Sequence, residues 1–159
     1  MKILLLIRSL GVGGTETQVA NLASGLRERG HEVSVAVFYS GGETGKTLER
    51  KDIKVIDLNK KGRWDNFSFF IRLLALLKVL QPNLIYSFLT ESNLCALLVK
   101  VFYRRVAVVW GLRAATGDPI LKKNDRLVEF GFWLAIKLSK KADGIISNSQ
   151  ASKEAHEKL

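Results

Sequence analysis

The chain is poor in cysteine, histidine and acidic residues, with one Cys, two His and 15 Asp+Glu against 25 Lys+Arg in 159 residues. Each scarcity removes a class of function. A lone Cys95 can form no disulfide within the chain and no cysteine metal cluster, which suits a reducing compartment, and its apolar neighbours read as those of a buried structural thiol. His31 follows a helix end and His156 falls in a terminal helix, so neither is a good catalytic candidate. The apolar run after Met1-Lys2 is cut short by Arg8 and glycines and lacks a small-residue cleavage site, unlike a signal peptide. The most apolar helical pattern, Asn66 to Leu80, contains Arg72 and Lys78 and is too short and too charged to span a membrane. Internal repeats and low-complexity segments are absent.

The acidic deficit leaves a formal charge of +10, which attracts anionic surfaces: nucleic acid, acidic lipid or phosphorylated ligands. The basic residues form short groups, Lys60-Lys61-Gly62-Arg63, Arg104-Arg105, Lys122-Lys123 and Lys140-Lys141, and not one tail. Nucleic-acid binding has charge as its only support, with no stacking platform or groove-reading helix, and is not expected. A length of 159 residues, 47% hydrophobic, suits one domain with a substantial core and is too short for two.

What is present is a regular alternation. Ile3-Leu4-Leu5-Leu6-Ile7 is an unbroken apolar run of the kind buried on both faces of a parallel sheet. It breaks into Gly11-Val12-Gly13-Gly14-Thr15-Glu16, and a helical period then runs through Val19, Leu22, Ala23 and Leu26 to Arg29, with Gly30 as its stop. Thr15 with Gln18 three residues later reads as a capping box. Strand signals recur at Glu32–Tyr39, Lys54–Leu58, Leu84–Leu89, Val106–Trp110 and Ile145–Ser147. Helical periods occupy Asn66–Leu80, a segment from a Thr90 cap through Val101, Leu127–Leu138, and a last helix opened by Asn148-Ser149. Gly41 to Thr47 reads as a mobile loop. Strands separated by helices imply a doubly wound, Rossmann-like parallel α/β sheet with helices on both faces. Ligands bind such sheets at the carboxyl ends of the strands. That places Arg8–Glu16, Tyr39–Gly45, Leu89–Glu91, Gly111–Asp118 and Ser147–Ser149 along one functional edge. The final helix is still polar and periodic at Lys158-Leu159, so the chain is expected to be the front portion of a longer protein.

A strand, a glycine turn and a helix start together favour an anion, because the first N–H groups are unpaired and the macrodipole is positive there. The dinucleotide fingerprint G-x-G-x-x-G fits poorly: the third glycine is missing and the second strand ends at Tyr39-Ser40 without a carboxylate. Gly45-Lys46-Thr47 lacks the opening glycine of a phosphate loop.

The opening strand, the Gly13-Gly14-Thr15-Glu16 turn, the helix ending Leu26-Arg27-Glu28-Arg29-Gly30-His31-Glu32-Val33 and the late Ala142-Asp143-Gly144-Ile145-Ile146-Ser147-Asn148-Ser149 segment resemble the N-terminal domain of family 4 glycosyltransferases of the GT-B fold. The similarity covers essentially the whole chain. It implies one half of a GT-B fold: residues 1–159 as the acceptor-side Rossmann-like domain, without the C-terminal donor-binding domain. The implied activity is retaining transfer of a sugar from a nucleotide-sugar donor to a glycan or lipid-linked acceptor, as in polysaccharide biosynthesis, in a cleft between two domains. Without the second domain the chain is expected to bind weakly and transfer nothing, and no metal or other cofactor is expected.

By this resemblance Gly13, Gly14 and Thr15 form the donor-diphosphate loop, where a side chain would hold the diphosphate off the backbone. Candidates on the acceptor side are Glu16, Glu91, Arg113, Thr116 and Asp118. Glu16 also suits the helix dipole, and the capping role ranks ahead of acceptor binding. Glu91 either projects into the cleft or serves the first turn of its helix, the safer reading. The family often carries a histidine after the fifth strand; here Trp110-Gly111-Leu112-Arg113 offers Arg113, a candidate catalytic residue whose guanidinium could fork onto a phosphate or hydroxyl, or a plain surface arginine. Asp118-Pro119 also reads as an ordinary turn. The expected location is cytoplasmic, with peripheral contact on anionic membrane through Phe67 to Lys78, Arg104-Arg105 and Lys122-Lys123. The competing reading is a stand-alone Rossmann-like module that binds a nucleotide or phosphorylated ligand.

Overall fold

The computed structural model describes residues 1–62, 64–112, 126–150 and 153–154. Six strands, β1 (Lys2–Ile7), β2 (Glu32–Val37), β3 (Lys54–Asp57), β4 (Leu84–Phe88), β5 (Ala107–Leu112) and β6 (Gly144–Ser147), pair in parallel in the order β3-β2-β1-β4-β5-β6. Between them run α1 (Gly14–Glu28), α2 (Glu43–Arg50), α3 (Asn66–Leu80), α4 (Thr90–Phe102) and α5 (Arg126–Leu138), the last followed by a 3-10 turn at Ser139–Lys141. The expected doubly wound sheet is therefore present.

Alternation along β1 divides the interior into two cores. Ile3, Leu5 and Ile7 pack with Val19 and Ala23 of α1 and Leu48 of α2. Leu4 and Leu6 face the other way, against Phe69, Leu73 and Leu77 of α3, Ala96 and Val99 of α4, and Ala135 of α5. Among the described residues, two helices thus cover one face and three the other, with the change of face made by the β3-α3-β4 connection. A strand buried on both sides needs the continuous apolar run that Ile3–Ile7 provides. Each such side chain contributes roughly 1.5–3 kcal/mol on burial.

The helix ends show where local chemistry decided the boundary. Gly30 has φ 81° and follows α1 as expected, and Gln81 takes a left-handed φ of 47° that turns the chain after α3 ahead of Pro82. Both expected threonine caps are corrected. α1 starts at Gly14 with Gly13 in the cap position, and α4 starts at Thr90 with Leu89 in that position, neither with a side-chain cap bond. Residues 43–50 form α2, where the sequence suggested a mobile loop. Only Leu48 gives that short helix a large buried anchor, too little for a periodic signal.

Asp143, in the turn before β6, ties three elements together. Its Oδ2 accepts from the Val108 amide at 2.7 Å and its Oδ1 from Lys100 Nζ at 2.5 Å, while Lys100 also donates to the Lys141 carbonyl at 3.3 Å. The lysine hydrogen bond first, and the Val108 amide second, hold the Asp143 carboxyl below the usual carboxylate range. A lowered folded pKa means that this stabilisation is fully present above the unfolded value, about 4, and disappears as pH falls through the folded one. Asp143→Asn is expected to cost about 1 kcal/mol at pH 7, the low end for charged hydrogen bonds because the side chain is 42% exposed. In thermal unfolding, the gap between wild type and variant should narrow as pH falls below the ordinary carboxylate range, about 4; a gap independent of pH would refute this role for the charge.

Candidate functional site

Sheet order reverses between β1 and β4, and the loops after these strands flank a crevice, the position where open α/β sheets hold ligands. Arg8, just past β1, reaches across it: its Nη1 lies 3.2 Å from Oε1 of Glu91 in the first turn of α4. Its guanidinium also stands 5.6 Å from the Tyr39 ring centroid, and its carbonyl accepts the amides of Phe38 and Tyr39 at 3.0 and 3.1 Å. Arg8, Tyr39 and Glu91 thus converge from three strand ends. Both charges are about half exposed, so the pair contributes little to stability, ~0–1 kcal/mol, and can open for a ligand. Glu91 lies in the first turn of its helix, where its carboxylate pairs with Arg8.

The backbone that positions Glu91 is strained. Leu89 has φ 72° and ψ 154°, a region nearly confined to glycine, at a cost of about 1–3 kcal/mol. The sharp turn sends the chain from β4 directly into α4 at the rim.

Beside β1, the glycine loop ends in the uncapped start of α1. The amides of Gly14, Thr15 and Glu16 precede the first intrahelical bond, from Thr17 N to the Gly13 carbonyl at 3.0 Å, and Thr17 Oγ1 donates to the same carbonyl at 2.9 Å. Gly13 is fully extended, which any residue tolerates; what a Cβ there would meet is the Glu16 carboxylate, folded back over it. Gly11 and Gly14 face open space. Glu16 therefore sits at the helix start, its expected place, although no side-chain cap bond forms. Gly42, with φ 99°, lies against the Leu10 carbonyl so closely that a Cβ would overlap it, and Thr44 Oγ1 donates to the Gly11 carbonyl at 2.7 Å. The start of α2 consequently braces the glycine loop.

A cavity of about 530 Å³ opens on the other side of the Leu89 turn, within the range of small-molecule sites. Its described walls include Thr90 and Asn93 of α4, Trp110 of β5, Ile136 of α5, Ser147 at the end of β6 and Asn148 after it. Ser87 Oγ donates to Asn93 Oδ1 at 2.8 Å, fixing that buried carboxamide. Trp110 Nε1 and Ser92 Oγ are buried without a partner among the described residues. Cys95 is partly exposed as a residue, yet burial first and the Glu91 charge second push its thiol up to about 12, so it stays protonated and inert.

Of the sequence candidates, Gly13, Gly14, Thr15, Glu16 and Glu91 come to one rim, with Ser147–Ser149 at its far end. Arg113, Thr116 and Asp118 lie outside the described residues. His31, between the end of α1 and β2, stands at the opposite end of the sheet, and His156 is outside the description. Asn93 escaped the sequence reading, while Tyr39 and Gly42 fell within its functional edge without a role of their own. Gly41-Gly42 did signal positive φ, and Asn93 interrupts an otherwise apolar helix face.

The model of glycosyltransferase family 4 matches residues 12–159, nearly the whole chain. The chain belongs to that family. Among solved structures this family 4 chain is similar to HepE of Anabaena in complex with UDP, with 22% identity and a TM-score of 0.78 over 99% of this chain and 40% of HepE. It is also similar to sucrose-phosphate synthase of Thermosynechococcus elongatus, at 12% identity and TM-score 0.71 over 100% of this chain and 45% of that one. A UDP-GlcNAc 2-epimerase of Methanocaldococcus jannaschii shares the fold at 12% identity and TM-score 0.61, over 99% of this chain and 42% of the epimerase. No curated protein matches. The chain spans less than half the length of these structures, and at such identities the likeness concerns the fold alone. The fold by itself does not distinguish a transferase from an epimerase.

Proposed function

We propose that this family 4 domain is the acceptor-side half of a retaining glycosyltransferase that moves a sugar from a nucleotide-sugar donor to a glycan or lipid-linked acceptor. The observation that carries the reading is the uncapped start of α1 at the sheet's switch point, in a chain matched by the family model over residues 12–159. The free amides of Gly14, Thr15 and Glu16 suit one edge of the donor diphosphate, and open space at Gly11 and Gly14 leaves room for it. The Glu16 carboxylate would repel the diphosphate and must rotate away as it arrives. Crystallised HepE holds UDP, and in a second structure UDP and glucose, which supports a nucleotide-sugar donor here.

Arg8 and Glu91, released from each other, offer a cation and a carboxylate to acceptor hydroxyls, and Asn93 lies at the wall of the adjoining cavity. The reading includes Arg113, Thr116 and Asp118 as further acceptor-side groups, no metal or other cofactor, no transfer by residues 1–159 alone, and a cytoplasmic location.

The test is an amide-resolved NMR titration of the chain with UDP. Weak, saturable shifts centred on Gly11–Thr17 are expected, and UDP-glucose incubated with the chain should remain intact. Shifts centred elsewhere, or no shift at millimolar UDP, would overturn the assignment of the glycine loop.

A further inference from the structure

We infer that the cavity between α4, α5 and the ends of β5 and β6 seats the acetamido group of an N-acetylated sugar, which makes a 2-acetamido glycoside the acceptor class of this domain. The inference rests on the acceptor-side reading of the domain and names the chemistry of what that side holds. Three residues of the described walls are more than nine-tenths buried, Asn93, Trp110 and Ala135, at 3%, 2% and 8% exposure. The two polar ones present donors. Asn93 Oδ1 already accepts from the Ser87 hydroxyl at 2.8 Å, which fixes the carboxamide, and no hydrogen bond from its Nδ2 is present among the described residues. Two side-chain polar atoms of the described residues are both sealed from solvent and unpaired, Ser92 Oγ and Trp110 Nε1. Asn93 Nδ2 is not one of them, so it keeps an open face, and the cavity is the space it borders.

Buried donors without partners are rare, because nothing offsets their desolvation. What Asn93 Nδ2 and Trp110 Nε1 lack is an acceptor oxygen, and the cavity is where one can arrive. A carboxylate suits it badly: Lys153 is the one charged residue on the described walls and is itself partnered within the chain, and an anion held by neutral donors stays under-compensated. A hydroxyl brings a proton of its own, while the buried acceptor nearest to hand, Asn93 Oδ1, is occupied. A carbonyl oxygen accepts and brings no donor.

Leu112, Ala135 and Ile136 on the same walls suit a methyl group. Ser147 Oγ donates its own proton to the Ser149 carbonyl at 3.0 Å and keeps lone pairs for an incoming N–H. Carbonyl, methyl and N–H together make an acetamido group. A mostly apolar cavity with a few placed polar groups is the usual form of a small-molecule site, and about 530 Å³ leaves room for the sugar ring as well. Thr90 lines the cavity, while Glu91, the next residue, faces Arg8 across the crevice. A ring anchored by its acetamido group therefore has the crevice beside it.

The test is an NMR titration of the chain with three methyl glycosides that differ at one carbon: the 2-acetamido-2-deoxyglucoside, the glucoside and the 2-amino-2-deoxyglucoside. The acetamido glycoside should bind saturably and about tenfold or more tightly than either of the others. The Trp110 indole N–H and the Asn93 side-chain amide should be among the signals that move. Trp110→Phe, which also identifies the indole signal, and Asn93→Leu, which removes the amide donor, should each weaken binding about fivefold or more. Should either variant fail to fold, the ranking of the three sugars by the wild type still decides. Absence of an acetamido response, equal affinity for the acetamido and plain glycosides, or saturable binding that leaves both Trp110 and Asn93 unmoved would each overturn the inference. UDP in a parallel sample separates the two readings: with the glycine loop still answering UDP, such a result removes the acetamido class alone. A selective acetamido response without a UDP response would support the cavity's ligand class and count against the glycine-loop assignment.

Discussion

Gly42→Ala should destabilise the domain by about 2 kcal/mol or more and displace the glycine loop, although Gly42 lies outside that loop. Two effects combine. The backbone at Gly42 has φ 99°, where an L side chain is strained, and the added Cβ would overlap the Leu10 carbonyl and approach the Gly11 amide at 2.9 Å. Both obstacles are backbone, so no rotamer change relieves them. Gly41→Ala is the internal control: φ is 98° there, but a Cβ would meet nothing within 4 Å. Urea unfolding should show a cost of roughly 1–3 kcal/mol for Gly41→Ala from backbone strain alone. A larger cost is expected for Gly42→Ala, with amide shifts at Gly11–Glu16 that the Gly41 variant lacks. Equal costs and equal spectra would show that the contact with Leu10 does not brace the loop.

Leu6→Ala is expected to cost about 2–5 kcal/mol, a large part of the 5–15 kcal/mol that holds an ordinary domain folded. Leu6 is fully buried in the central strand, between Ala36 of β2 and Ser87 of β4. Its neighbours in that core come from strands and helices on both sides of β1, which restricts collapse into the space it leaves. Urea denaturation at neutral pH would measure the loss, and a cost below about 1 kcal/mol would mean that the core repacks far more freely than its burial implies.

The parts legible in the sequence were those whose cause is local. The run Ile3–Ile7 announced a doubly buried strand, and the spacing of apolar residues between Asn66 and Leu80 announced α3 with its end before Pro82. Gly13, Glu16 and Glu91 could be placed on one rim because a parallel sheet sends the ends of all its strands to the same side. What escaped depended on tertiary contact. Thr15 and Thr90 are good capping types, yet Gly13 and Leu89 hold the cap positions because the incoming loops set the dihedrals there. The Arg8–Glu91 pair joins residues 83 apart and exists only because β4 pairs with β1. The bond from Ser87 to Asn93 and the bracing of Gly11 by Thr44 likewise arise from packing that no short window contains.

The unequal charge on the two sides of the sheet also acts before any contact is made. Among residues 66–143 whose side chains are described, eight Lys and Arg stand against Glu91 and Asp143, while residues 14–52 hold five against six, so charge is spread unequally over the two sides of the sheet. Approaching a negative surface, such a body is turned as well as attracted, and the turning begins about one Debye length away, near 8 Å at physiological salt. The domain would arrive with α3–α5 leading and the rim of the sheet to the side, so the crevice between Arg8 and Glu91 would stay open along the surface instead of being pressed against it.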